Sequence, residues 1–229
     1  MSTVTTDQGI VIPVGTDGAD NPQAFVDQIG GVETRLVLRY ASDADRLARH
    51  TAPLFGDLSI VAGNTWYDRW TGAKWMPVTP ISSFKTGSQL VNNSTALVAL
   101  TSMVVSLPAI NTNYAIDGYI VYNSSTVADI KFSGTIPAGA ASSIAITGGA
   151  VGIAAASGDA NFAIADLAAA QVIQLGGAGV GINMGVMLSG AVSVGATAGN
   201  LQLTFAQNTL EATNTTVGSR SWLSARAVS

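Results

Sequence analysis

Between Asp166 and Glu211 the chain carries no charged side chain, and residues 91–229 hold only five acids and three bases. A soluble monomer normally surrounds its core with Lys, Glu, Asp and Arg. A stretch this poor in them must cover its apolar surface in another way. Two are natural: burial against copies or neighbours, or a polar, uncharged coat of Ser, Thr and Asn on β-structure. Disorder is excluded as the main state, because 10% charged with 48% hydrophobic residues is the reverse of its signature.

A membrane span is the competing explanation. The run VIQLGGAGVGINMGVMLSGAV is apolar, and Gly177, Gly181 and Gly185 follow small-xxx-small spacing. Gln171, Gln174 and Asn183, the dense glycines and the lack of flanking Lys, Arg, Trp or Tyr anchors weigh against it. Buried β-structure is the reading adopted, with no membrane partner. Met1–Gln8 is polar with no base before an apolar run, so no secretory signal is expected.

Charge divides the chain. Residues 1–90 hold nine acids and seven bases, and the shift falls near the Pro- and Ser-containing stretch 77–85. Four regions are expected: a docking arm with a short helix (1–33), a small β-rich connector (34–80), a linker (81–87) and a head (88–229). In the arm, Gly9–Val14 reads as a strand that Pro13 confines to an edge or an isolated arm. Asn21-Pro22 starts a helix with Phe25, Val26 and Ile29 on its apolar face. In the connector, Thr34–Tyr40 reads as a strand, and Ser42-Asp43-Ala44-Asp45 opens a short helix with Leu47 and Ala48 inward and Asp45 four residues before Arg49. Leu58–Ala62, Trp66–Trp70 and Lys74–Val78 read as strands joined by turns at Gly63-Asn64 and Thr71-Gly72.

The head reads as many strands. Ala96–Leu107, Tyr114–Tyr122 and Asp129–Ile136 are β-prone, with Ile130, Phe132 and Ile136 on one face, and Leu201, Leu203 and Phe205 alternate likewise. Gly, Asn, Ser and Pro clusters at short intervals fit a β-sandwich or jelly roll. Alanine-rich Phe162–Gln171 is the one helix expected there. The fold class is therefore mainly β: a small αβ connector with an extended arm, then a sandwich-like head.

Chemistry-bearing patterns are few. The chain has no Cys and one His, which removes disulfides, thiol nucleophiles and His-cluster metal sites. No G-x-S-x-G elbow occurs, and His50 reads as a solvated residue at a helix C-terminus. No spacing pairs the acids of the head for hydrolysis. Asp17-Gly18-Ala19-Asp20-Asn21 holds oxygen ligands in a glycine turn but lacks the regular calcium loop. The run GGAGVG at 176–181 lacks the Lys-Ser/Thr of a phosphate loop, and no base lies between Lys131 and Arg220. The expectation is a non-enzyme without cofactor or metal. An acidic balance with ten bases argues against nucleic acid as a partner.

Trp66, Tyr67, Trp70 and Trp75 form the one dense aromatic cluster. They can serve as the core of a small unit or as a platform on which sugar rings stack, and core or subunit packing is the weightier reading.

Three stretches together resemble the fibre-type and decoration-type virion proteins of tailed bacteriophages, particularly of actinobacteria. They are the arm GIVIPVGTD, the module RLVLRYASDADRLARHTAPLFGDLSIVAGNTWYDRWTGAKWMPV, and the ending LQLTFAQNTLEATNTTVGSRSWLSARAV with the earlier DIKFSGTIPAGA. The resemblance implies a trimeric virion component with an N-terminal docking region and an outward β-domain, and it brings no catalytic residues. Docking would then fall to Ile10, Val11, Ile12 and Val14 of the arm and to Phe25 and Ile29 of the helix. Partners would be further copies, other virion proteins and, in the alternative of a receptor-recognising fibre, a cell-wall glycan on the Trp/Tyr cluster.

Overall fold

A computed structural model describes residues 2–5, 11–14, 37–152, 160–165 and 170–228. Two compact units divide the chain, Met1–Thr79 and Pro80–Ser229.

In the first unit, β1 (Ser2–Thr5) and β2 (Val11–Val14) form an antiparallel pair with Val4 opposite Ile12 and Thr3 opposite Pro13. Among the described residues β2 pairs with β1 alone, so Pro13 need not donate on both sides. The arm is thus one half of a two-stranded ribbon. Val11, Ile12 and Val14 lie on β2; Ile10, Phe25, Ile29, the helix expected from Pro22 and the Asp17–Asn21 turn lie outside the described residues.

A second, four-stranded sheet follows the order β3 (Leu38–Tyr40), β4 (Leu58–Val61), β5 (Asp68–Trp70), β6 (Trp75–Pro77). β3 and β4 are parallel, which requires a crossover, and α1 (Asp43–Arg49) lies within it. Ser42 caps α1 as its sequence predicts: Ser42 Oγ accepts the Asp45 N–H at 3.1 Å, and the Asp45 carboxylate accepts the Ala41 N–H at 2.9 Å. The inward face differs from expectation. Leu47 is 65% exposed and Ala48 is exposed, while Arg46 is buried. Two turns of helix bury one residue well, and the Ser59 hydroxyl on β4 with the Asp68 carboxylate on β5 give that place to Arg46. Leu38, Tyr40 and Val61 make the small apolar core.

The second unit contains β7 (Ile81–Phe84), β8 (Gln89–Val91), β9 (Val98–Leu107), β10 (Thr112–Asn123), β11 (Ile130–Thr135), β12 (Ala141–Gly149), β13 (Ala160–Ala165), β14 (Ile173–Leu175), β15 (Met184–Val194), β16 (Gly199–Gln207), β17 (Thr215–Val217) and β18 (Trp222–Ala227). One sheet runs β14-β11-β16-β9; the other contains β13-β12-β15-β10. Numbering β9–β16 as one to eight, the sheets read 6-3-8-1 and 5-4-7-2, the strand order of a jelly roll. The second sheet continues past β10 in two branches: β18 then β7, and β17 then β8.

Two expectations are corrected. The stretch 81–87 is not a linker along its whole length, because Ile81–Phe84 pairs with β18. The helix expected over Phe162–Gln171 is not formed at its start, since Ala160–Ala165 pairs with β12 from Ile144 to Gly149. Helix propensity is a weak prior, and a six-residue ladder supplies the backbone bonds a short helix would have to make alone.

Period-two alternation builds the sandwich core. Tyr114, Ile116, Ile120 and Tyr122 of β10 are buried to within 1%, and face inward with Ile130 and Phe132 of β11 and Leu201, Leu203 and Phe205 of β16. Tyr122 and Phe132 meet edge to face at 6.2 Å. The apolar run weighed as a membrane span is β14, a glycine loop and β15. Among the described residues no helix is long and apolar enough to cross a membrane.

Candidate functional site

The four aromatic residues singled out from sequence gather in the first unit, but not as an open platform. Trp70 and Trp75 are register partners across the β5–β6 turn, their rings 5.5 Å apart and tilted by 58°. Gly72 makes that turn in the left-handed region, with φ 88°. The other surroundings of Trp75 are internal: the Arg46 guanidinium lies 4.8 Å from its ring centre, and His50 packs edge-on at 5.9 Å. Trp66 lies before β5 rather than within it, half-buried, its Nε1 facing the Asp68 carboxyl without closing a hydrogen bond of full geometry. Tyr67 is 44% exposed.

Arg46 organises this cluster. Its guanidinium donates to Asp68 Oδ2 at 2.6 Å and to Ser59 Oγ at 2.9 Å, and pairs with Asp43 at the start of its own helix. Burial pushes the Asp68 carboxyl above the usual range, against the pull of Arg46. Asp68 is the buried half of an ion pair.

His50 is also not the solvated helix end expected. It caps α1, and its ring spans Tyr40 and Asp57, with Nδ1 3.1 Å from the Tyr40 hydroxyl and Nε2 3.0 Å from Asp57 Oδ2. A neutral ring that donates from Nε2 to Asp57 accepts the Tyr40 hydroxyl at Nδ1. Burial raises the Tyr40 phenol, opposed by Arg49 and Arg46. Asp57 also accepts the Leu54 N–H at 2.7 Å, closing a rigid turn that leaves Leu54 and Phe55 61% and 78% exposed. A buried phenol pushed upward is a poor nucleophile, so the chain Tyr40–His50–Asp57 fits a structural clasp that ties β3 to the turn before β4.

The second unit offers a different surface. Residues that alternate with the core on β12, β15, β10, β18 and β7 form the outer face of the large sheet. One register row crosses all five strands: Thr147, Met187, Tyr119, Trp222, Phe84. Met187 is 66% exposed, Phe84 62% and Tyr119 38%. The Tyr119 ring lies over Gly185, where any Cβ would collide with it. The next row is Ala145, Ser189, Asp117, Ser224, Ser82. Ser189 donates to Asp117 at 3.2 Å, and Ser82 donates to Ser224 at 2.9 Å. Sequence reading missed this row because its members come from distant strands. The one local signal is the alternation in YAIDGYIVY, which sets Asp117 and Tyr119 opposite Ile116 and Ile120.

The glycine run at 176–181 has a packing role. Gly177 leaves no room for a Cβ against the Ser124 and Ser125 carbonyls, and its N–H donates to Asp129 Oδ1 at 2.8 Å. Burial raises the Asp129 carboxyl, and that N–H partly offsets it. Lys85 is buried as well, with Nζ donating to Gln89 Oε1 and the Thr101 carbonyl, both at 3.2 Å, and burial lowers its ammonium. Among the described residues no group of three or more His, Cys, Asp or Glu converges as a metal site.

No family model and no curated protein matches the chain. Solved structures similar to it include that of the infectious bursal disease virus Gt strain, at 11% identity over 73% of this chain and 50% of that one, with a TM-score of 0.21. The VP2 subviral particle of infectious bursal disease virus matches at 14% identity over 76% and 47%, with a TM-score of 0.21. T=1 particles derived from the infectious bursal virus match at 13% over 76% and 46%, with a TM-score of 0.22. The chain spans about half the length of these structures, and TM-scores this low do not establish a shared fold.

Proposed function

We propose that the chain is a structural virion protein, a homotrimeric fibre or capsid-decoration subunit of a tailed phage. In this reading the N-terminal region, with Val11, Ile12 and Val14 on its ribbon, docks onto other virion proteins, and the jelly-roll head is displayed outward. The observation that carries it is the head itself: an eight-strand jelly roll, enlarged by four further strands, whose broad outer face holds, among the described side chains, one acid, one base and otherwise uncharged residues. Such a face suits building material better than a reactive site, since water-filled clefts and convergent charge are what chemistry needs. Mass spectrometry and antibody labelling of purified particles test the reading. The expected result is the chain in stoichiometric copy number at a fixed place on the particle; particles lacking it overturn the proposal.

A second reading, a fibre that grips host cell-wall glycan, is favoured by the exposure of Tyr67 and the half-buried state of Trp66 and Trp70. It expects binding on a glycan array that Trp70→Ala abolishes without unfolding the chain. Equal binding by variant and wild type, or none by either, removes it.

A further inference from the structure

The outer face of the large sheet in the second unit is, we infer, an interface for a second copy of this chain. This deepens the reading of the chain as building material and rests on it.

The composition of the face comes first. Protein interfaces are enriched in Tyr, Trp, Phe, Met and Arg, and depleted of Lys, Glu and Asp at their centres. The described face presents Tyr119, Trp222, Phe84, Met187 and Arg226, with Asp117 as its one acid. Met187 and Phe84 are each more than three-fifths exposed although they belong to a continuous row. Exposed apolar groups joined in a row differ from the scattered ones that any soluble protein carries.

Shape is the second argument. Ser143, Ala191 and Ala115, then Ala141, Ser193 and Asn113, fill the rows beyond Asp117. Side chains this small leave the face low and flat, so another sheet can approach closely. Two rows cross five strands, the third crosses four and the fourth three; at about 4.8 Å between strands and about 6.8 Å between rows they cover roughly 550 Å² in plan, before the relief of the side chains is added. That footprint approaches the ~800 Å² of accessible surface that each partner buries in a stable complex.

Charge identifies the occupant. Asp117 and Arg226 are both exposed, on adjacent strands of the face. They do not pair with each other: the ion pairs among the described residues all lie between positions 43 and 68. A face with one acid and one base is electrically self-complementary. A copy related by a twofold axis can set Asp117 against Arg226 in both directions, a pairwise contact distinct from the threefold contacts of the proposed trimer. A strongly charged partner finds no matching field there.

Sedimentation velocity on the full chain tests this, comparing wild type, Met187→Lys with Phe84→Lys, and Asn200→Lys on the opposite sheet as a control. Because the altered side chains are exposed, far-UV circular dichroism should be the same for all three. The expected result is a wild type and a control that associate at micromolar concentration, and a double variant that associates more weakly by on the order of a hundredfold or more. A monomeric wild type overturns the inference, as does a folded double variant that associates like wild type. Neither result bears on whether the chain is found in particles, so the two proposals fail separately.

Discussion

Replacing Arg46 by alanine strikes the most strongly coupled point of the first unit. Arg46 and Asp68 are 7% and 4% exposed, with a 2.6 Å hydrogen bond between them. Removing one member of a buried pair leaves the other charge uncompensated, at a cost of about 3–5 kcal/mol. Losing the guanidinium from the face of Trp75 adds about 0.5–1 kcal/mol. Without Arg46, only the facing Trp66 Nε1 opposes the burial that already raises the Asp68 carboxyl. The folded state then binds more protons than the unfolded one between the ordinary and the raised pKa, so stability falls as pH rises through that window. Arg46→Ala should therefore cost most near pH 8 and less near pH 5. Three of the four tryptophans, Trp66, Trp70 and Trp75, lie in this unit. Urea titrations followed by tryptophan fluorescence at both pH values thus read it selectively. Pairing Arg46→Met with Asp68→Leu removes both charges and should recover stability to within about 1 kcal/mol of wild type. A single-variant cost below about 1 kcal/mol at pH 8, or one that grows as pH falls, would refute the reasoning.

Three further outcomes are expected in the second unit. Tyr122 is raised by burial, and its hydroxyl donates to the Gly176 carbonyl at 2.5 Å. Above about pH 10, where exposed phenols ionise, wild type should lose stability because unfolded Tyr122 releases a proton that the folded residue keeps. Tyr122→Phe should cost about 1 kcal/mol at pH 8 and flatten that loss in urea midpoints between pH 8 and 11. Lys85 acts with the opposite sign: its lowered pKa makes the unfolded state bind more protons, so its contribution to stability rises with pH up to the ordinary lysine range. Lys85→Met should abolish that rise in the same titrations. Phe205, fully buried opposite Phe132, should cost about 3–5 kcal/mol on replacement by alanine, seen as a lower midpoint by far-UV circular dichroism.

What could be read from sequence was what local chemistry decides. The β-prone run YAIDGYIVY located β10, the alternation in LQLTF located β16 and its inward face, and Ser42-Asp43-Ala44-Asp45 located the start of α1. What could not be read was decided by partners remote in sequence. Ile81–Phe84 looks like a linker beside Pro80 and Gly87 because its strand character comes from β18. Ala160–Ala165 is locally helix-prone, and β12 makes it a strand. The same holds for the sites. Arg46 looks like a surface residue until Asp68 and Ser59 are placed beside it, and a lone His50 gives no hint of Tyr40 and Asp57. Trp75 reads from sequence as a packing residue, but its neighbours Arg46, His50 and Trp70 emerge only in the fold. The row from Thr147 to Phe84 exists only once four pairings fix the register.

The pairing of β7 with β18 bears on how the molecule is made. Ser82 and Ser224, joined by a side-chain hydrogen bond, lie 142 residues apart, and among the described residues β7 has no ladder partner other than β18. During translation, then, one of the first strands of the second unit to leave the ribosome waits for the last before it can dock. Until then β7, with the bare Phe84 ring, is a sticky edge. Ribosome-bound chains arrested before Trp222 should consequently be far more sensitive to protease between residues 80 and 90 than released ones.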